Sequence, residues 1–205
     1  LLREAGKSNS LPVLRFYTWS PPAVSLGRFQ DSERAVDAAA CGRRGIDIIR
    51  RITGGRSVLH MDELTYSIAA PVPNGLFPND VLGTYRIIAS GLVEGLRSLG
   101  IPAEMAARPV QLEGSAKGKR HDPACFSSPS WYEIVARGRK SVGSAQRRGN
   151  GAFLQHGSIL IGYEPEIDAE VFRGMSSGNA VSCIKKEPGR DVLLDDVKPA
   201  SPSGF

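Results

Sequence analysis

The chain has 205 residues, 41% of them hydrophobic and 23% charged, with a formal net charge of +5 at pH 7. Such a length can bury a core without disulfide or metal staples, and no apolar run approaches the ~20 residues that a membrane helix needs. The positive excess is modest and spread over several segments, with no zinc-finger spacing, long basic helix or aromatic RNA-binding motif, which argues against nucleic acid and suits an acidic protein partner.

Taken in chain order, "LLREAGKSNS" reads as the end of a helix, and no secretory leader is visible. "VLRFYTW" (13–19) is a strand from its branched and aromatic content, and "AVSLG" (23–27) a second short one. Asp31 or Ser32 caps one helix running through "SERAVDAAACGRRG", with Cys41 as a small core residue. "IDIIR" (46–50) is a strand that ends in two arginines. "TGGRSVLH" (53–60) is a glycine-led turn into another strand, and "ELTYSIAAPV" (63–72) alternates as a strand does. Asn79 or Asp80 starts the longest helix, to about Leu99, with Val81, Leu82, Tyr85, Ile88, Leu92, Leu96 and Leu99 at helical spacing and Gly100 as its stop.

The stretch 108–124 is polar, basic and rich in breakers, and reads as a mobile loop leading directly into Cys125. Lys117, Lys119 and Arg120 lie there, suited to the encounter with an acidic partner. Three strand-like segments follow, "WYEIVAR", "KSVGSAQR" and "AFLQHGSILIG", with turns at Gly138 and "RRGNG". "EPEIDAEVFRGM" is a short helix, and the tail has a disordered composition. The order predicts an α+β fold, a mixed or antiparallel sheet flanked by helices, with residues 1–163 as the body of one domain and 164–205 as an extension.

Cys41, Cys125 and Cys183 are too few and too widely spaced to pair completely, which indicates a reduced, cytoplasmic setting. "RRITGGRSVLH" is neither a phosphate loop nor a dinucleotide fingerprint. Its two glycines allow close backbone approach, and its arginines suit a carboxylate or phosphate, but a hairpin with surface arginines satisfies the same pattern. Lys140 is open to the same two readings, and Gly143 and Ser144 interrupt a good strand as if something approached the backbone. Gln155, His156 and Ser158 crowd polar groups into another strand. A metal cluster of His60, His121, Cys125 and His156 is a competing account, but no short ligand pair supports it.

Four blocks together resemble the lipoate–protein ligase A/B and biotin-ligase-like superfamily, and among its members the cysteine-dependent octanoyltransferases. They are "LRFYTWSPPAVSLGRFQ", "RRITGGRSVLHMDELTYSIAAP", "ACFSSPSWYEIVARGRKSVGSAQRR" and "LQHGSILI", in order and sensibly spaced. The resemblance implies a catalytic fold of the class II synthetase and biotin-ligase type. Cys125 is then the nucleophile and Lys140 its partner. Arg51, Thr53, Gly54, Gly55, Arg56 and His60 fall in the substrate-binding block, and Gly143, Ser144, Gln146, His156 and Gly157 shape the pocket. The implied reaction takes octanoyl from octanoyl-acyl carrier protein, through a Cys125 thioester, to a lysine of a lipoyl domain or glycine-cleavage H protein. A thioester donor is already activated, so neither metal nor nucleotide cofactor is called for, and a cytoplasmic monomer is expected.

Arg56 stands where the ATP-dependent lipoate ligases usually have a third glycine, and those ligases usually lack a cysteine matching Cys125. Both features favour the transferase over its alternatives, an amidotransferase or a ligase. A non-catalytic acyl-protein binding module is the remaining alternative, because "GNAVSCIKKEPGRDVLLDDVKPASPSGF" departs from the family pattern.

Overall fold

The computed structural model describes residues 1–7, 10–106, 133–173 and 181–186. Cys125, His121, the basic residues 117–120 and the tail from 187 lie outside the described residues.

In chain order the elements are α1 (Leu2–Ala5), β1 (Val13–Tyr17), β2 (Ala23–Leu26), α2 (Ser32–Ala35), α3 (Ala38–Arg43), β3 (Asp47–Arg50), β4 (Val58–His60), β5 (Glu63–Pro71), α4 (Val81–Ser98), β6 (Ala103–Met105), β7 (Ile134–Ala136), β8 (Arg139–Gly149), β9 (Ala152–Leu160) and α5 (Pro165–Val171). Six strands form one antiparallel sheet in the order β1-β5-β9-β8-β7-β6, and three form a small mixed sheet in the order β3-β2-β4. The two hairpins that build the middle of the large sheet have two-residue turns with positive φ at both positions. They are Arg137 and Gly138 (50° and 72°), and Asn150 and Gly151 (54° and 68°). That backbone twist matches the twist of the flanking strands and fixes their register.

Because side chains alternate along a strand, the register sorts the large sheet into two faces. Leu64, Tyr66 and Ala70 of β5, Val142 of β8, and Phe153 and Ile159 of β9 pack against Ile88, Ala89, Val93 and Leu96 of α4. The opposite face carries Glu63, Thr65 and Ser67, with Ser158, His156 and Leu154 paired in turn to Gly143, Ala145 and Arg147. The small sheet has its own core, in which Val24, Leu26, Val36 and Cys41 meet Val171 and Phe172 at the end of α5. Val58 of the small sheet and Leu160 of the large one share a third cluster with Val181 and Cys183.

Three expectations are corrected. The single helix from Asp31 is two short ones. Val36 turns to extended backbone (φ −134°, ψ 153°) to pair with Phe172, and Asp37 then caps α3 by accepting from Ala40 N at 2.9 Å. Tertiary pairing here overrides helix propensity. The α4 start at Asp80 holds, its carboxylate accepting from Gly83 N at 2.7 Å, but Val81 and Leu82 are 46% and 50% exposed. Thr84 anchors the first turn instead, donating to Pro78 O at 3.0 Å and Asp80 O at 2.8 Å. The strand β6 after Gly100 was not expected from the sequence.

Residues beyond 163 continue the packing of the body. Val171 and Phe172 are buried, Val181 bridges Lys140, and Lys185 N donates to Ile161 O at 3.0 Å. Among the described residues, no helix is long and apolar enough to cross a membrane.

Candidate active site

A cavity of about 230 Å³ lies between the polar face of the large sheet and the small sheet. Gly143, Ser144, Ala145, Leu154, His156, Gly157, Ser158 and Thr65 line it from the large sheet. Ser25, Ile49, Arg51, Ile52, Gly55, Val58 and His60 line it from the small sheet and its β3–β4 loop, and Tyr17 and Trp19 complete the wall. The composition is apolar with a few convergent polar groups, as in small-molecule sites.

Strand pairing assembles the polar part. β2 runs antiparallel to β4, which brings Ser25 to His60. Arg51 Nη1 donates to Ser25 O at 2.7 Å and to Ser25 Oγ at 3.1 Å. The Ser25 hydroxyl pairs with His60 Nε2 at 2.7 Å. His60 Nδ1 faces Glu63 Oε1 at 3.2 Å and Ser158 Oγ at 3.2 Å. Thr65 Oγ1 donates to the same Glu63 oxygen, and Trp19 Nε1 donates to Thr65 Oγ1 at 2.8 Å. The Trp19 indole stacks on the His60 ring, with centroids 4.4 Å apart. Glu63 is buried, and its Oε2 has no hydrogen-bond partner among the described residues. Burial raises the Tyr17 phenol above its ordinary range, with the Glu63 charge adding to it.

The second half of the Arg51 fork holds the glycine loop. Nη2 donates to Gly54 O at 3.0 Å and also to Arg56 O. Thr53 is fully buried, its carbonyl accepting from Arg28 N at 2.9 Å and its hydroxyl paired to His156 Nε2 at 2.7 Å. Burial, with help from Arg51 and His60, pulls the His156 pKa down to about 4, so the ring is neutral near pH 7.

Gly55 has φ +89°, a conformation that side chains rarely take, and a Cβ there would lie 3.1 Å from Arg51 Nη2. A Cβ at Gly54 meets nothing within 4 Å. Gly157 is more tightly held, since a Cβ would lie 2.5 Å from Gly143 O, 2.6 Å from Tyr66 Cε1 and 2.8 Å from Ser144 Oγ.

The structure thus brings Arg51, Gly55, His60, Gly143, Ser144, His156 and Gly157 to one cavity, with Thr53 and Gly54 in the loop beside it. The side chains of Ser144 and Gln146 serve the α4 side: Tyr66 Oη pairs with Ser144 Oγ at 2.7 Å, and Gln146 Nε2 donates to Gln155 Oε1 at 2.9 Å. Neither Gln146 nor Arg56 lines the cavity. Lys140 also stands outside the cavity wall, three positions before Gly143 on β8, 1% exposed and ion-paired with Glu133.

Sequence reasoning missed Trp19, Ser25, Glu63 and Thr65. Their signal was a polar residue between Val24 and Leu26, and acid and hydroxyl at alternate positions of an otherwise apolar strand. Among the described residues, no three His, Cys, Asp or Glu side chains are grouped as metal ligands would be.

The chain matches the family "Lipoyl protein ligase A/B catalytic domain" over residues 1–205. It is 43% identical over 204 residues to an octanoyltransferase LipM of Geobacillus kaustophilus, covering 95% of this chain and 73% of the relative. It is 46% identical over 164 residues to an octanoyltransferase LipM of Moorella thermoacetica, covering 78% of this chain and 58% of the relative. The match therefore spans little more than half of one relative and about three-quarters of the other. Among solved structures, a T. acidophilum protein described as a lipoate protein ligase, with bound lipoic acid, superposes with a TM-score of 0.71 at 26% identity, over 92% of this chain and 69% of that one. A lipoate-protein ligase A bound with ATP superposes with a TM-score of 0.71 at 27% identity, over 92% and 69%. The sheets flanked by helices are the lipoate-ligase and biotin-ligase catalytic fold, and the chain belongs to the lipoyl protein ligase A/B catalytic domain family, in the company of its octanoyltransferases.

Proposed function

We propose that this protein is an octanoyltransferase that moves an octanoyl group from acyl carrier protein to a lysine of a lipoyl domain or glycine-cleavage H protein. The observation that carries this reading is the narrow, mainly apolar cavity built on β8, the strand that also holds Lys140. Eight carbons entering it gain several kcal/mol, at about 0.8 kcal/mol per buried CH₂. The octanoyltransferase relatives support the same reading.

In this scheme the Cys125 thiolate attacks the carbonyl carbon of the carrier thioester. The bond from the acyl carbon to the carrier sulfur breaks, the carrier thiolate takes up the proton that Cys125 gave up, and the acyl group rests on Cys125. The ε-amine of the acceptor lysine then attacks the same carbon. The C–N bond forms, the C–S bond breaks, and the amine proton returns to the cysteine sulfur. The Lys140 ammonium favours the thiolate and polarises the acyl carbonyl. The other two cysteines are poor candidates for this work. Cys41 is 1% exposed, and burial raises its thiol pKa, while Cys183 is 3% exposed among apolar side chains.

Intact-mass analysis tests the donor. The protein is mixed separately with octanoyl-carrier protein, octanoylated H protein, and octanoate plus ATP. A gain of one octanoyl group from the first alone is expected. A gain from the second alone makes it an amidotransferase, acylation of an added lipoyl domain from the third alone, without an adduct on the protein, makes it a ligase, and neither adduct nor acylated acceptor from any donor makes it a binding module. Each of these three outcomes overturns the proposal.

A further inference from the structure

Resting on the acyl-transfer reading, we infer that Arg147 and Leu154 form the stop that sets acyl-chain length, with Ala145 controlling passage toward it. On the cavity face the antiparallel pairs run Gly143 with Ser158, Ala145 with His156, and Arg147 with Leu154. Along β8 the side chains grow from none, to a methyl, to a guanidinium. The bulk presented on this face therefore increases from Gly143 to Arg147. Arg147 Nη1 crosses from the large sheet to the glycine loop and donates to Ile52 O at 3.0 Å. Leu154 fills the facing half, 8% exposed and packed against Ala5 of α1, Ala69 and Ala152. Ile52 and Leu154 both line the cavity.

Lys140 precedes Gly143 on the same strand, so the reacting end lies opposite the stop. Gly143 and Arg147 are four positions apart, roughly 13 Å at ~3.3 Å per strand residue. An extended eight-carbon acyl chain is roughly 9–10 Å long with C–C bonds of about 1.5 Å. With the carbonyl placed at Gly143, the methyl end falls past Ala145 and roughly 3–4 Å short of the Arg147–Leu154 pair, and chains of about 12 carbons reach Leu154.

The test is a competition among carrier thioesters of 6, 8, 10 and 12 carbons, read by mass spectrometry of the acylated lipoyl domain. Leu154→Ala removes part of the stop and raises transfer of 12 carbons relative to 8 by about 10-fold or more. Ala145→Val narrows the passage and lowers transfer of 8 carbons relative to 6 by a similar factor. Thermal melts establish which variants are folded, and if one is not, the other decides. Transfer of octanoyl with an unchanged chain-length profile in the folded variants overturns this assignment and leaves the acyl-transfer reading standing. Failure of the unmutated protein to transfer any chain overturns that reading, and this assignment with it.

Discussion

On the α4 side of the six-stranded sheet, β5, β8 and β9 present Leu64, Tyr66, Val142, Phe153 and Ile159. On the other side the same strands present Glu63, Thr65, Gly143, Ala145, His156 and Ser158. The α4 side also contains polar groups, but they form a closed chain. Arg148 donates to Gln146, Gln146 to Gln155, and Gln155 to Tyr66, whose hydroxyl pairs with Ser144. On the cavity side, two buried atoms among the described residues, Glu63 Oε2 and Ser67 Oγ, have no partner. Unsatisfied buried polar atoms are costly, and a fold tolerates them most readily where the surface serves a purpose other than stability. One face spends its side chains on packing, and the other leaves room and polar groups for a ligand.

Substitutions on the two faces should separate activity from stability, and the largest effect belongs to chemistry. Lys140→Met, which keeps the bulk of a residue only 1% exposed, should slow formation of the acyl-enzyme on the order of 10³-fold. Rapid-quench mass spectrometry of the folded variant measures it, and a rate within a few-fold of the unmutated protein removes Lys140 from the chemistry. On the packing face, Leu96→Ala empties a site that is 3% exposed. It should cost about 2–5 kcal/mol in denaturant melts while acyl transfer per folded molecule is retained.

A smaller effect comes from His156, whose pKa in the folded protein is about 4 against an ordinary 6.5. Between those values the unfolded chain binds a proton that the folded chain refuses. Stability is therefore full above pH 6.5 and falls as the pH drops toward 4, by about 2 kcal/mol after allowing for partial exposure. His156→Gln should flatten that part of the pH–stability curve, and an identical slope in both proteins contradicts the assignment. The smallest effect is expected for Val81→Ala, at the 46% exposed start of α4. Its change should stay under about 0.5 kcal/mol, and a larger loss would restore the apolar stripe expected from sequence.

Much of this architecture was legible in the sequence, for local reasons. Asn150-Gly151 and Arg137-Gly138 mark two-residue hairpins whatever surrounds them, and the alternation from Glu63 to Pro71 identifies β5. Of the TGG block, Gly55 lines the cavity and has the positive φ that favours glycine, whereas Thr53 and Gly54 lie in the loop beside it, a division that composition does not mark. The break between α2 and α3 was not legible, because it depends on Val36 meeting Phe172, 136 residues away in sequence. The Ser25–His60–Glu63 chain was hidden for the same reason. Ser25 and His60 are 35 positions apart and meet only through the pairing of β2 with β4. Local composition announces turns and strands, whereas a site assembled across two sheets is specified by register.

The central claim is that the cavity face serves acyl transfer through Cys125, and peptide mapping of the trapped octanoyl-enzyme tests it most directly. The protein is incubated with octanoyl-carrier protein, quenched in acid, digested and sequenced by mass spectrometry. The account predicts a hydroxylamine-sensitive octanoyl group on the peptide containing Cys125, absent in Cys125→Ala. A label on Cys41 or Cys183 with Cys125 unmodified would contradict it.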